Sequence, residues 1–79
     1  MNPRAIKVEP KDEYKLLLEF ENGERKVYDM RKFLDFGIFK ELKDVNYFKK
    51  VRIEFGTVAW PNEQDICPDT LYLDSTSII

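Results

Sequence analysis

The stretch Tyr14-Lys15-Leu16-Leu17-Leu18-Glu19-Phe20-Glu21-Asn22-Gly23-Glu24-Arg25-Lys26-Val27-Tyr28 decides the fold. Tyr14, Leu16, Leu18 and Phe20 alternate with Lys15, Leu17, Glu19 and Glu21. That is the two-residue period of a strand with one buried face. Asn22-Gly23 interrupts it. A two-residue type I′ turn needs positive φ at both central positions, and Asn-Gly supplies them readily. The segment therefore predicts an antiparallel hairpin. A two-residue turn sets Glu19 opposite Lys26, Leu18 opposite Val27 and Leu17 opposite Tyr28.

Outward from the hairpin the chain breaks into short pieces. Residues 4–9 alternate, with Ile6 and Val8 on one face, and predict a first strand stopped by Pro10. Beyond the hairpin, Asp29 is placed to cap a short helix carrying Met30, Phe33 and Leu34, which Gly37 stops. Ile38, Phe39 and Leu42 mark a second short turn of helix. Asp44 starts a third, with Val45 and Phe48 on one face. Val51, Ile53 and Phe55, then Gly56, then Val58 and Trp60, predict a second hairpin of open turn type. Trp60 falls on its apolar face as a core anchor. Pro68 opens a last helix near residues 68–73, since it has no N–H to lose there. The tail from Asp74 has no pattern; Ile78 and Ile79 either fray or dock. The order is β-β-β-α-β-β-α. It predicts a single α+β domain over 1–79, with two antiparallel β-segments and short broken helices between and after them.

With 79 residues the chain has room for one core. Neither a disulfide nor a cysteine-based zinc site forms from a single cysteine, Cys67, which reads as a small buried hydrophobe. So small a core leaves a thin margin, and a homodimer is one way to hide more apolar surface. No apolar run is long enough to cross a membrane, and the N-terminus has no signal-peptide core. With one cysteine, this fits a cytoplasmic protein.

There is no histidine, so the commonest general base and metal ligand are missing and no Ser-His or Cys-His pair forms. Gly23, Gly37 and Gly56 are too far apart for a phosphate-binding loop. No catalytic, cofactor or metal residue is assigned. The net charge of −2 hides an asymmetry: residues 53–79 hold five acids and no base. Within them Asn62, Glu63, Gln64, Asp65 and Asp69 form a candidate partner-binding loop. The bland account of this loop has Asp65 or a neighbour capping the last helix. Arg31, Lys32, Lys40, Lys43, Lys49, Lys50 and Arg52 form a candidate basic patch interleaved with Phe33, Phe36, Phe39, Tyr47 and Phe48. Aromatics beside a basic groove are the physics of single-strand nucleic-acid binding, though the spacing sends most of these rings to the core.

Two segments carry a family resemblance. One is Phe20-Glu21-Asn22-Gly23-Glu24 running on to Tyr28-Asp29. The other is Trp60-Pro61-Asn62-Glu63-Gln64-Asp65-Ile66-Cys67-Pro68-Asp69-Thr70-Leu71-Tyr72. They resemble the small bacterial Domain of Unknown Function 2442 family. The resemblance implies a small α+β domain with no catalytic residue to carry over. It also implies a partner protein encoded nearby, in an arrangement like a toxin–antitoxin pair. The family often has Gly where Glu63 stands, which suggests that Asn62 takes the left-handed position here. The expected function is a non-enzymatic protein-binding module, antitoxin-like. The alternatives are a nucleic-acid-binding accessory domain and a hydrolase or nuclease built on carboxylates or Lys/Arg. Carboxylates converging in a pocket around Asp65 would favour an enzyme.

Overall fold

A computed structural model describes residues 2–78. Strands β1 (Ala5–Lys11), β2 (Lys15–Phe20) and β3 (Arg25–Asp29) form an antiparallel meander. A short β6 (Thr76–Ser77) joins the free side of β3, giving the sheet order β1-β2-β3-β6. Strands β4 (Arg52–Glu54) and β5 (Thr57–Ala59) pair separately. Between β3 and β4 lie two 3-10 segments, Arg31–Phe33 and Gly37–Lys43, and the one-turn helix α1 (Val45–Phe48). Helix α2 (Pro68–Asp74) links β5 to β6, and Pro68 opens it as the sequence implied. The class is α+β. The unpatterned tail turns out to be the fourth strand: Thr76 faces Val27 and Ser77 faces Lys26. Ile78 is half-exposed beyond it, and Ile79 lies outside the described residues.

The decisive hairpin forms, but its register differs by one residue from the expected one. Leu17 faces Val27, Leu18 faces Lys26 and Glu19 faces Arg25. The loop has three residues: Gly23 N–H donates to the Phe20 carbonyl and Phe20 N–H to the Glu24 carbonyl, each at 2.9 Å. Gly23 takes a φ of +88°, while Asn22 is not left-handed. This is a turn followed by a left-handed glycine bulge, not type I′. Asn22 instead accepts the Glu24 N–H on its side-chain oxygen at 3.0 Å. The slip has a packing reason. It sets Tyr28 opposite Leu16, so both are buried, and sends Val27 to the outer face with Leu17.

Strand β1 is not stopped by Pro10; it runs through it to Lys11. β1 is an edge strand, and Pro10, one position out of step with Glu9 opposite Leu17, turns its nitrogen away from β2. A bulge between Ala5 and Lys7 puts Ala5 in the core and leaves Ile6 exposed, against the alternation reading.

The core gathers Leu16, Leu18 and Phe20 of β2 with Tyr28, Leu42, Phe48, Val58, Trp60 and Leu71. Trp60 is fully buried, and its Nε1 donates to the Phe48 carbonyl at 2.9 Å. It ties β5 to α1, the anchoring position expected of it.

Three apolar residues that the pattern set on helix turns or a strand face stand outside the core: Ile38, Val45 and Phe55. Ile38 lies in a 3-10 segment, where residues three apart share a face. Phe39 and Leu42 therefore turn inward, and Ile38 turns outward with Glu41. Helix α1 is a single turn that uses Phe48 inward and leaves Val45 half-exposed. Phe55 sits at the β4–β5 turn with φ +52°, followed by Gly56 at +76°, so this turn is type I′. A Cβ on Gly56 would meet the Arg4 side chain at 2.7 Å, and Ala5 N–H donates to the Gly56 carbonyl at 3.0 Å. Glycine is required there. At Phe55 the left-handed backbone costs about 1–2 kcal/mol, and the ring, 90% exposed, repays none of it by burial.

Candidate functional site

The loop after Trp60 is closed by its own backbone. Trp60 N–H donates to the Gln64 carbonyl at 2.9 Å, and Glu63 N–H to the Trp60 carbonyl at 3.1 Å. The left-handed position this turn needs falls on Glu63, at φ +71°, and not on Asn62. After the turn the chain runs back beside β5. Asp65 bridges Ala59, and the Thr57 hydroxyl donates to the Ile66 carbonyl at 2.6 Å.

Side chains from 3-10 segment Gly37–Lys43 and from α1 brace the loop. Tyr47 donates its phenolic proton to Gln64 Oε1 at 2.7 Å and accepts Asn62 N–H at 2.8 Å. Gln64 Nε2 donates to the Ile38 carbonyl at 3.0 Å and to Glu41 Oε1 at 2.9 Å. Asn62 Nδ2 donates to both Glu41 oxygens, at 2.8 and 2.9 Å. A buried side-chain amide keeps its place only if its donors and acceptor are met, and here they are.

These contacts sort the five loop candidates. Gln64 is 1% exposed, with its amide spent inside the fold, so it shapes the loop and presents nothing to solvent. Asn62 is exposed, with its amide held on Glu41. Glu63, Asp65 and Asp69 are exposed. Asp69 lies in the first turn of α2 and accepts from Asn2 at 3.3 Å. Asp65 is not the helix cap; Cys67 holds that position. Cys67 is exposed, not buried as its small apolar character suggested. The backbone amides of Thr70 and Asp69 lower its thiol pKa.

The sequence reading named Tyr47 and Phe36 only as rings interleaved with the basic set; it missed Tyr47 and Glu41 as braces of the loop and Ile38 as the residue whose carbonyl holds it. Phe36 and Ile38 stand 65% and 62% exposed on either side of Gly37, and the Ile38 carbonyl is the one that holds Gln64. A 3-10 reading of 37–43 would have turned Ile38 outward; an α-helical one hides it.

The basic set is largely compensated locally. Arg31 grips Asp29 at 2.7 Å, holding that carboxyl below its ordinary pKa, and reaches Glu13 at 3.7 Å. Lys43 meets Asp35 at 2.7 Å, Arg52 meets Glu54 at 2.8 Å and Lys32 meets Asp74 at 3.7 Å. Lys40 adds to the field that lowers the Asp35 carboxyl after Lys43. Lys49 and Lys50 are exposed beside α1. Of the interleaved rings, Phe33, Phe39 and Phe48 pack in the core cluster, Tyr47 braces the loop and Phe36 faces solvent.

Glu63, Asp65 and Asp69 line neither the groove between β1 and β4 nor those beside β6 and beside Tyr14. Among the described residues no group of three or more His, Cys, Asp or Glu is placed to hold a metal ion. Among the described residues no helix is long and apolar enough to cross a membrane.

A four-stranded antiparallel sheet, a second hairpin and a braced acidic loop define a small α+β domain. The chain belongs to the family described as "Protein of unknown function (DUF2442)", whose model matches residues 5–77. No curated protein and no solved structure matches it.

Proposed function

We propose that this chain works as a protein-binding module through the loop 62–69 together with Phe36 and Ile38. The observation that carries the reading is the exposure of those two side chains, 65% and 62%, on the segment whose Ile38 carbonyl and Glu41 carboxylate hold the loop. Large apolar groups at the centre and charge at the rim are the usual anatomy of a binding surface. A loop fixed in advance loses little entropy on association. Glu63 and Asp65 make this rim acidic, so the partner is a protein with an apolar pocket and a basic border. A small protein encoded nearby, in an antitoxin-like pairing, is the partner class the family resemblance implies.

The test is co-purification of tagged chain from its own host, with the captured protein identified and then rebound in purified form. Replacing both Phe36 and Ile38 with Ser removes apolar surface that the fold does not bury. The double variant should melt within a few degrees of the parent and lose roughly tenfold or more in affinity. Equal affinity for the purified partner contradicts the reading.

A further inference from the structure

A second surface, remote in sequence from the loop, has its own logic. A groove of about 510 Å³ runs between edge strand β1 and strand β4, with Ile6, Val8, Leu17, Val51 and Ile53 among its walls. Its two walls meet where Ala5 N–H donates to the Gly56 carbonyl. Phe55 stands at that junction, two residues from Ile53, held outward in a left-handed turn and 90% exposed. The ring does not line its own groove. One patch of surface thus carries both an apolar knob and, next to it, a slot walled by aliphatic and charged side chains in similar measure.

We propose that two copies of the chain associate about a two-fold axis, with Phe55 of each copy seated in the β1–β4 groove of the other. A two-fold contact uses the same patch twice, so it needs knob and slot together on one surface. Any other partner would have to supply both complements. The charges bordering the slot also suit a second copy. Lys7, Arg25 and Arg52 stand among Glu9 and Glu19, so the rim is mixed and close to neutral, and like copies meet without a net field between them. Covering Phe55 and Ile6 would also hide two of the chain's exposed large apolar groups, which a domain of this size gains from.

Two variants test the contact by sedimentation across protein concentrations from about 1 μM to 1 mM. Phe55→Asn places a residue that tolerates the left-handed backbone in the turn, so its monomer should melt no lower than the parent. Its dimer should weaken roughly tenfold or more. Ile6→Glu, at an exposed slot position, should weaken the dimer to a similar degree. Mixing the two should restore a heterodimer of intermediate affinity, because the Phe55 of the Ile6→Glu chain still finds an intact slot on the Phe55→Asn chain. A parent that stays monomeric at the highest concentration overturns the proposal. So does a Phe55→Asn dimer of unchanged affinity, or a mixture no tighter than either variant alone.

Discussion

Tyr47 donates its phenolic proton to the buried Oε1 of Gln64 at 2.7 Å, across 17 residues of sequence. The Tyr47 hydroxyl oxygen in turn accepts Asn62 N–H at 2.8 Å, so one hydroxyl fixes both the exposed corner of the loop and its buried strut. Removing it in Tyr47→Phe leaves Gln64 Oε1 without that donor. The expected loss is about 1–3 kcal/mol in a urea melt, with faster amide exchange at Asn62. A loss below about 0.5 kcal/mol, with exchange unchanged, would show that the loop holds itself.

Tyr28 carries the opposite case. It is fully buried and its hydroxyl has no hydrogen-bond partner among the described residues. Burial first, and Asp74 second, push its pKa up from 10.0 to about 12. The unfolded chain therefore loses this proton first. The stability linked to it is whole below pH 10 and drains away as pH rises toward about 12. Tyr28→Phe should be neutral or up to about 1 kcal/mol more stable at pH 7, and should lose less between pH 10 and 12. Tyr72, also raised through its bond to Glu24, keeps part of the alkaline loss in place. A Tyr28→Phe protein that melts much lower than the parent would mean the hydroxyl has a partner.

Acid acts through the carboxylates. Glu24 is held below its ordinary value, first by the Tyr72 hydroxyl and then by Asn22. Glu9, Asp29 and Asp35 are lowered by Lys11, Arg31 and Lys43 respectively. For each, the folded pKa lies below the unfolded one. Their stabilisation is complete above the ordinary carboxylate range and is lost as pH falls through and below it. Melting temperature should be flat from pH 7 to about pH 5 and fall below that. In Tyr72→Phe the Glu24 carboxyl, followed by NMR, should titrate closer to its ordinary value. An unmoved titration would place the cause elsewhere.

The left-handed Glu63 predicts a stabilising change. A left-handed non-glycine residue costs about 1–2 kcal/mol, and glycine gives back roughly 0.5–1 of it in chain entropy. Glu63→Gly should therefore gain about 0.5–1 kcal/mol in a denaturant melt. A loss of that size would show that the Glu63 side chain contributes contacts to the fold.

These residues also show what the sequence could express. The strand alternation of 14–20, the broken run 30–48 and the Trp60 anchor were legible, because each depends on local period or on one large apolar group. The hairpin register was not. Asn22-Gly23 suits both a two-residue turn and a three-residue loop, and the choice rests on burying Tyr28 beside Leu16. β6 escaped notice because two residues carry no period; Thr76 and Ser77 pair only where α2 delivers them to the edge of β3. The loop was recognisable as acidic and distinctive. Its division into buried Gln64 and exposed Glu63 and Asp65 was not, since it depends on Tyr47 and Glu41 arriving from another segment.

The central claim, that loop 62–69 with its apolar neighbours is a binding surface, is tested most directly by association kinetics with the identified partner. Glu63→Gln combined with Asp65→Asn removes two exposed charges and none of the braces. At low salt the double variant should associate several-fold more slowly than the parent, with its melting temperature within a few degrees. The difference should shrink as salt rises, because screening already suppresses the attraction over a Debye length of about 8–10 Å. Association rate and affinity equal to the parent's at low salt would contradict the account.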